Sequence, residues 1–214
     1  AIDRSAQAVI TSGPHDDAVE FDLKNYNYDA SFTLRTLRDM KRRVVRDYRL
    51  FQEGHLGIRE VLGKPVELLQ YAFITILDGL HLKLDSGVTV SLSSTIPIGC
   101  GMGSSAAIVL SELRALGHYF RVDFRPDWHY KYSLEAENLQ HGHASGLDSY
   151  ISLHGGCATF RQGEATRLPL PRWPIFLVNT GAPQSTTGEC VEDVARRLSA
   201  SLIWDDFEGV THEL

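Results

Sequence analysis

Cysteine is scarce in this chain, and the little there is does not pair by pattern. Cys100, Cys157 and Cys190 are odd in number, widely spaced and without a Cys-x-x-Cys. That argues against a disulfide framework and against a structural zinc site, and it fits a reducing cytoplasm. Long apolar runs are also missing. The stretches around Leu68–Leu80 and Ile108–Leu116 meet polar residues well short of the ~20 needed to cross a bilayer, so no membrane partner is expected. Positive charge is in deficit, with 21 Lys and Arg against 27 Asp and Glu and a net charge of −6. Hence no global electrostatic case exists for nucleic acid or an anionic membrane as partner. The opening Ala1-Ile2-Asp3-Arg4 lacks a secretory apolar core and an initiator Met, so we expect the natural N-terminus to lie upstream. Internal repeats and low-complexity segments are absent. What remains is an ordinary globular composition: 214 residues, 43% hydrophobic, enough to bury one large core or two small ones without staples.

Along the chain, Ala6–Ser12 and Val19–Leu23 alternate as strands, separated by the turn-like Ser12-Gly13-Pro14. Apolar spacing predicts a helix from Ser31 to Phe51, with Leu34, Leu37, Val44, Val45, Tyr48 and Phe51 near one face. Its other faces carry Arg35, Arg38, Lys41, Arg42, Arg43, Arg46 and Arg49. We read these as a solvated face with packed aliphatic stems, and a grip on an anionic substrate as the alternative. Further helices are expected over Gly63–Leu80, Ser104–Phe120, Trp128–Gln140 and Glu189–Leu202. Strands are expected at Gly87–Thr95, Gly155–Arg161 and Pro174–Asn179. Pro169-Leu170-Pro171 is the convincing boundary signal, dividing residues 1–170 from 171–214.

The most informative run is Pro97-Ile98-Gly99-Cys100-Gly101-Met102-Gly103-Ser104-Ser105-Ala106-Ala107. Three alternating glycines let the backbone bring its amides close to a ligand. Small residues then open a helix whose free N–H groups and positive dipole end point into the loop, which suits a polyphosphate. No Gly-Lys-Ser/Thr follows, so this is not a Walker loop, and the glycine spacing does not fit a dinucleotide fingerprint. A second cluster runs from Glu135 to Asp148, with Glu137 near a helix end and Asp148 after the turn Gly142-His143-Ala144-Ser145-Gly146. Acids in such places are commonly solvated or capping. Phosphoryl transfer, however, needs one carboxylate for a divalent ion and one for the attacking hydroxyl. His141 and His143 lack a third ligand at a matching spacing, and we read them as turn residues.

Pro97…Gly101-Met102-Gly103-Ser104-Ser105-Ala106-Ala107 resembles the central motif of the GHMP kinases, Pro-x-x-x-Gly-Leu-Gly-Ser-Ser-Ala, with Met102 at the usual Leu. Glu137…His141-Gly142…Ser145-Gly146…Asp148 and Ser152…Gly155-Gly156 resemble the mevalonate kinase branch, with Ala144 where Pro is common. Val178–Thr186 resembles the segment that opens the second domain of that branch. Galactokinases carry a different pattern here, and homoserine kinases usually place Asn at the Asp148 position.

The resemblance implies an α+β fold: an N-terminal lobe of mixed sheet and helices over 1–170, then the start of a ferredoxin-like lobe over 171–214. It implies ATP and Mg²⁺ as cofactors, with Pro97, Gly99, Gly101, Met102, Gly103, Ser104, Ser105, Ala106 and Ala107 at the phosphates. Ser105 and Glu137 would hold the ion, and Asp148 would be the catalytic carboxylate. The implied reaction is phosphorylation of the primary hydroxyl of mevalonate, a small-molecule alcohol, in the cytoplasm. Phosphomevalonate kinase and a catalytically silent nucleotide binder are the alternatives. Two segments of the family, an N-terminal Pro-Gly-Lys…Gly-Glu-His stretch and a C-terminal glycine-rich loop, have no counterpart in these residues. An uncovered sheet surface is therefore expected, and with it either marginal stability or pairing with another chain, as in a homodimer.

Overall fold

A computed structural model describes residues 3–24, 27–123, 125–161, 163–170 and 187–213, with positions 172, 174, 176, 178, 181, 184 and 185. The elements in chain order are β1 (Ala6–Ser12), β2 (Ala18–Leu23), β3 (Tyr28–Thr33), α1 (Leu34–Gln52), α2 (Ile58–Val61), α3 (Glu67–Gly79) and β4 (Val88–Ser94). They continue with α4 (Ser104–Phe120), α5 (Pro126–His141), α6 (Leu147–His154), β5 (Cys157–Arg161), β6 (Glu164–Leu168), α7 (Thr187–Leu198) and α8 (Ile203–Glu213).

The architecture is α+β, as expected. A four-stranded sheet has the order β1-β4-β2-β3, in which β4 runs antiparallel to β1 and parallel to β2. Alternation explains the sheet's buried face. Val19, Phe21 and Leu23 of β2 lie in register with Val88, Val90 and Leu92 of β4, and all six are buried. Phe73 of α3 meets Phe21 edge-on at 5.7 Å between ring centroids. α3 is buried along Leu68–Leu77, a central helix rather than an amphipathic one. α4 lies beside it and packs on β1, α3, α5 and α6, so the helix that follows the glycine loop is held from several sides.

The expected helix over Ser31–Phe51 begins later. Tyr28–Thr33 is a strand paired with β2 from Ala18↔Thr33 to Leu23↔Tyr28, so Ser31, Phe32 and Thr33 belong to β3. Thr33 then caps α1, its hydroxyl accepting from the Thr36 N–H. Ladder hydrogen bonds to β2 outweigh the helical spacing of these three residues, and the cap marks the switch. On α1, Arg38 and Lys41 pair with Asp78, and Arg43 with Asp47 and Glu67. These contacts tie the charged ends of part of the basic face to α3, where a solvated face with packed stems was expected.

α6 and the β5–β6 hairpin contain segments the sequence pattern did not separate. The expected strand over Pro174–Asn179 lies largely outside the described residues. No helix among the described residues is long and apolar enough to cross a membrane.

Candidate active site

β4 ends at Ser94 and feeds the glycine loop into α4. Gly99, Gly101 and Gly103 have φ of 73°, 67° and 64°, the left-handed region that only glycine enters cheaply. Gly103 is the N-cap, and the first intrahelical bond of α4 runs from the Ala107 N–H to its carbonyl, at 3.1 Å. The amides of Ser104, Ser105 and Ala106 precede that bond and have no intrahelical acceptor. Ser104 thus opens the helix, as the small-residue run predicted.

α5 delivers the second half of the site. It ends at Gly142, with φ of 81°, whose carbonyl accepts from the Tyr48 hydroxyl at 2.9 Å. A Cβ on Gly142 would fall 2.7 Å from the Phe51 ring, and one on Gly146 would fall 2.1 Å from the Tyr130 hydroxyl. Glycine is favoured at both positions because φ of 81° and 86° strains any L side chain, and a Cβ would also press on the ends of Phe51 and Tyr130. Ala144 is tied into this turn. Its N–H donates to Asn138 Oδ1 at 2.8 Å, a bond proline could not make.

The turn leads straight into α6 and sets Asp148 in its first turn, exposed and facing the loop. A Cβ on Gly103 would lie 3.5 Å from the Asp148 carboxyl group. A cavity of about 270 Å³ opens between them. Its loop side is Gly99, Gly101, Met102, Gly103, Ser104 and Ser105, and Asp148 faces them. Of the other expected phosphate-loop residues, Pro97, Ala106 and Ala107 are not on its wall. Ala106 is buried in the first turn of α4, and Ala107 faces a hollow beside β1.

Glu137 lies behind this wall rather than on it. It is 2% exposed. Its Oε2 accepts from the Ser149 hydroxyl at 2.8 Å, while Oε1 is buried without a partner. Burial pushes its pKa up to about 7, the Ser149 hydrogen bond opposes this, and the neighbouring Asp148 charge adds to it. Buried polar atoms without a partner gather here. Ser104 Oγ, Gln140 Oε1 and His141 Nδ1 share that state, and all three residues line the cavity. Such atoms cost stability unless something satisfies them, which fits a site built for a polar ligand.

Several wall residues were not anticipated. Gln140 and His141 follow Glu137 by three and four positions on α5, so helical spacing from that carboxylate could have found them. Burial lowers the His141 pKa against the opposing pull of Asp148, which favours the neutral ring. Arg59 lines the cavity from α2, paired with Glu189 and donating to the Gln184 carbonyl at 3.2 Å. Its sequence surroundings carry no signal. Gln184 and Ser185 lie in the stretch that resembled the opening of a second domain. Among the described residues no group of three or more His, Cys, Asp or Glu could hold a metal ion. An ion here would take one or two carboxylates and complete its shell from hydroxyls, water and phosphate, which is the habit of Mg²⁺.

Residues 67–156 match the family profile "GHMP kinases N terminal domain". That span contains the loop, Glu137 and Asp148. Over those residues the chain is similar to a GHMP kinase N-terminal domain. It is 32% identical over 141 residues to the mevalonate kinase of Thermococcus sibiricus, covering 64% of this chain and 41% of that protein. The crystal structure of Methanococcus jannaschii mevalonate kinase superposes with a TM-score of 0.70 at 20% identity, over 96% of this chain and 61% of that one. Lactococcus lactis galactokinase, solved with galactose, reaches 0.57 at 15% identity, over 84% and 45%. The chain spans less than half the length of the curated mevalonate kinases it matches first.

Proposed function

We propose that the protein is an ATP-dependent phosphotransferase that phosphorylates the primary hydroxyl of mevalonate. The observation that carries this reading is the placement of Asp148, with its carboxylate against Gly103 across a cavity from Ser104 and Ser105. A carboxylate at the mouth of an amide-rich loop is where an acceptor hydroxyl must sit to meet a terminal phosphate. In this reading the loop amides and the α4 N-terminus bind the phosphates, with Pro97 and Gly99–Ala107 shaping that cradle. Ser105 and Glu137 would hold Mg²⁺, which when bound neutralises phosphate charge. Asp148 orients the hydroxyl and takes its proton.

Mevalonate is preferred over other alcohols because the similar curated proteins are mevalonate kinases. Likeness to a galactokinase at low identity shows that the fold alone does not choose the acceptor. The activity is assigned to the whole protein, of which the N-terminal lobe ends near Pro169-Leu170-Pro171 in our reading. Free thiols at Cys100, Cys157 and Cys190 suit a reducing, cytoplasmic setting.

The test is ADP release by the full-length protein offered mevalonate, phosphomevalonate, homoserine and galactose in turn. Mevalonate should be the substrate that turns over. Turnover with phosphomevalonate alone would move the assignment to that kinase. ATP binding without ADP release from any of the four would make the protein a nucleotide binder.

A further inference from the structure

Behind the cavity, three polar side chains form a buried chain to which phosphoryl transfer as described assigns no part beyond Glu137. Ser133 and Ser149 are 0% exposed and Glu137 is 2% exposed. The two hydroxyl oxygens are 2.7 Å apart, and Ser149 Oγ lies 2.8 Å from Glu137 Oε2. Ser133 and Glu137 are four residues apart on α5 and share a face. Ser149 comes from the first turn of α6, directly after Asp148.

The hydrogen-bond direction follows from counting protons. A serine hydroxyl has one proton, and when Glu137 is ionised Ser149 gives it to the carboxylate. Ser133 must then donate to Ser149. The chain runs one way and ends on a single carboxylate oxygen, leaving Glu137 Oε1 as the unpartnered atom.

We propose that Ser149 is a positioning residue that holds Glu137 by one oxygen, keeps the other free as a metal ligand, and couples that carboxylate to Asp148. The role rests on the reading of Glu137 as a ligand of Mg²⁺. A terminal carboxylate torsion is broad and soft, and the Ser149 hydroxyl adds to the hold of the Ser149 backbone N–H in keeping an orientation that presents Oε1. Outer-shell donors of this kind set ligand orientation and affinity at metal sites. Because Ser149 is the chain neighbour of Asp148, the same contact fixes the start of α6 relative to α5. The Ser149 hydroxyl, beside its backbone N–H, therefore helps set the spacing of the two carboxylates the proposed reaction uses.

The experiment measures ATP affinity of the full-length protein by calorimetry, with and without Mg²⁺. Ser149→Ala should weaken Mg²⁺-dependent ATP binding about 10- to 100-fold, with metal-free binding within about threefold of the parent. Ser149→Cys keeps the volume with a weak donor and should show the same selective loss. Ser133→Ala leaves the Ser149–Glu137 contact in place and should give a smaller loss of the same kind. This variant keeps the test decisive if changes at Ser149 prevent folding. In a Glu137→Gln background, Ser149→Ala should add nothing, as expected of two residues acting as one unit. Equal losses with and without Mg²⁺ would make Ser149 purely structural and overturn the proposal, as would unchanged Mg²⁺ dependence. A parent protein whose ATP binding ignores Mg²⁺ would sink the functional reading itself. A responsive parent with equally responsive Ser149 and Ser133 variants would sink only the positioning role.

Discussion

Asp148 and Glu137 are neighbours in different surroundings, and in the proposed reading those surroundings divide the labour. Asp148 is exposed at the cavity mouth, where an acceptor can reach it, whereas Glu137 is enclosed and its charged form is penalised. Asp148→Asn keeps the shape but cannot take a proton. In the full-length protein we expect kcat to fall about 10²- to 10⁴-fold, with ATP affinity within a few-fold, read by steady-state kinetics and calorimetry. Glu112 is a third carboxyl of a different kind. It is wholly buried on α4, neither oxygen has a partner, and burial raises its pKa well above the usual carboxylate range. Below about pH 4, folded and unfolded chains both hold this proton, and no stability is lost. As pH rises the unfolded chain releases it first, so stability drains away until the folded-state pKa is passed. Glu112→Gln abolishes this dependence. Urea unfolding of parent and variant should therefore show a difference that grows from acid to neutral pH. At neutral pH the variant should be the more stable of the two.

At the scale of elements, the site is a meeting of two helix starts. α4 begins after Gly103 and α6 after Gly146, and both N-caps are left-handed glycines. At Gly103 the neighbouring Asp148 would stand at ordinary contact distance from a Cβ, so the demand for glycine is conformational rather than steric. A non-glycine residue there pays about 1–2 kcal/mol. Gly103→Ala should weaken ATP binding by roughly five- to thirtyfold if the loop relaxes out of its present shape to avoid that cost. Thermal unfolding should change little, since the relaxed loop escapes the strain. Calorimetry beside a melting curve separates the two effects.

For the whole molecule, apolar surface is the open question of assembly. Among the described residues β1 is an edge strand with a single neighbour, and its Val9 is 56% exposed. On α8, Trp204, Phe207 and Val210 are all exposed. Exposed edges and patches of this kind invite pairing. The 214 residues produced alone should self-associate, giving a mass above the 23.9 kDa of one chain in light scattering. A clean monomer across a hundredfold range of concentration would refute that expectation.

Much of the site was legible because its chemistry is local. A run of alternating glycines followed by small residues states its backbone needs in its own composition, and the loop-to-helix transition at Ser104 follows from it. Period-two alternation likewise marked β1, β2 and β4. β3 was hidden because Ser31-Phe32-Thr33 satisfies helical spacing as well as strand alternation, and the partners that decide between them, Glu20, Val19 and Ala18, lie on another strand. The amino-acid sequence by itself determined which residues could meet a phosphate and which acids could serve a hydroxyl. Only the tertiary structure decided that Asp148 reaches the cavity while Glu137 stands behind it, held by Ser149. It also brought Arg59, Gln140 and His141 to the wall. The reason is physical: burial and the approach of residues distant in sequence depend on how α2, α5 and α6 pack together, and spacing along one chain cannot encode that.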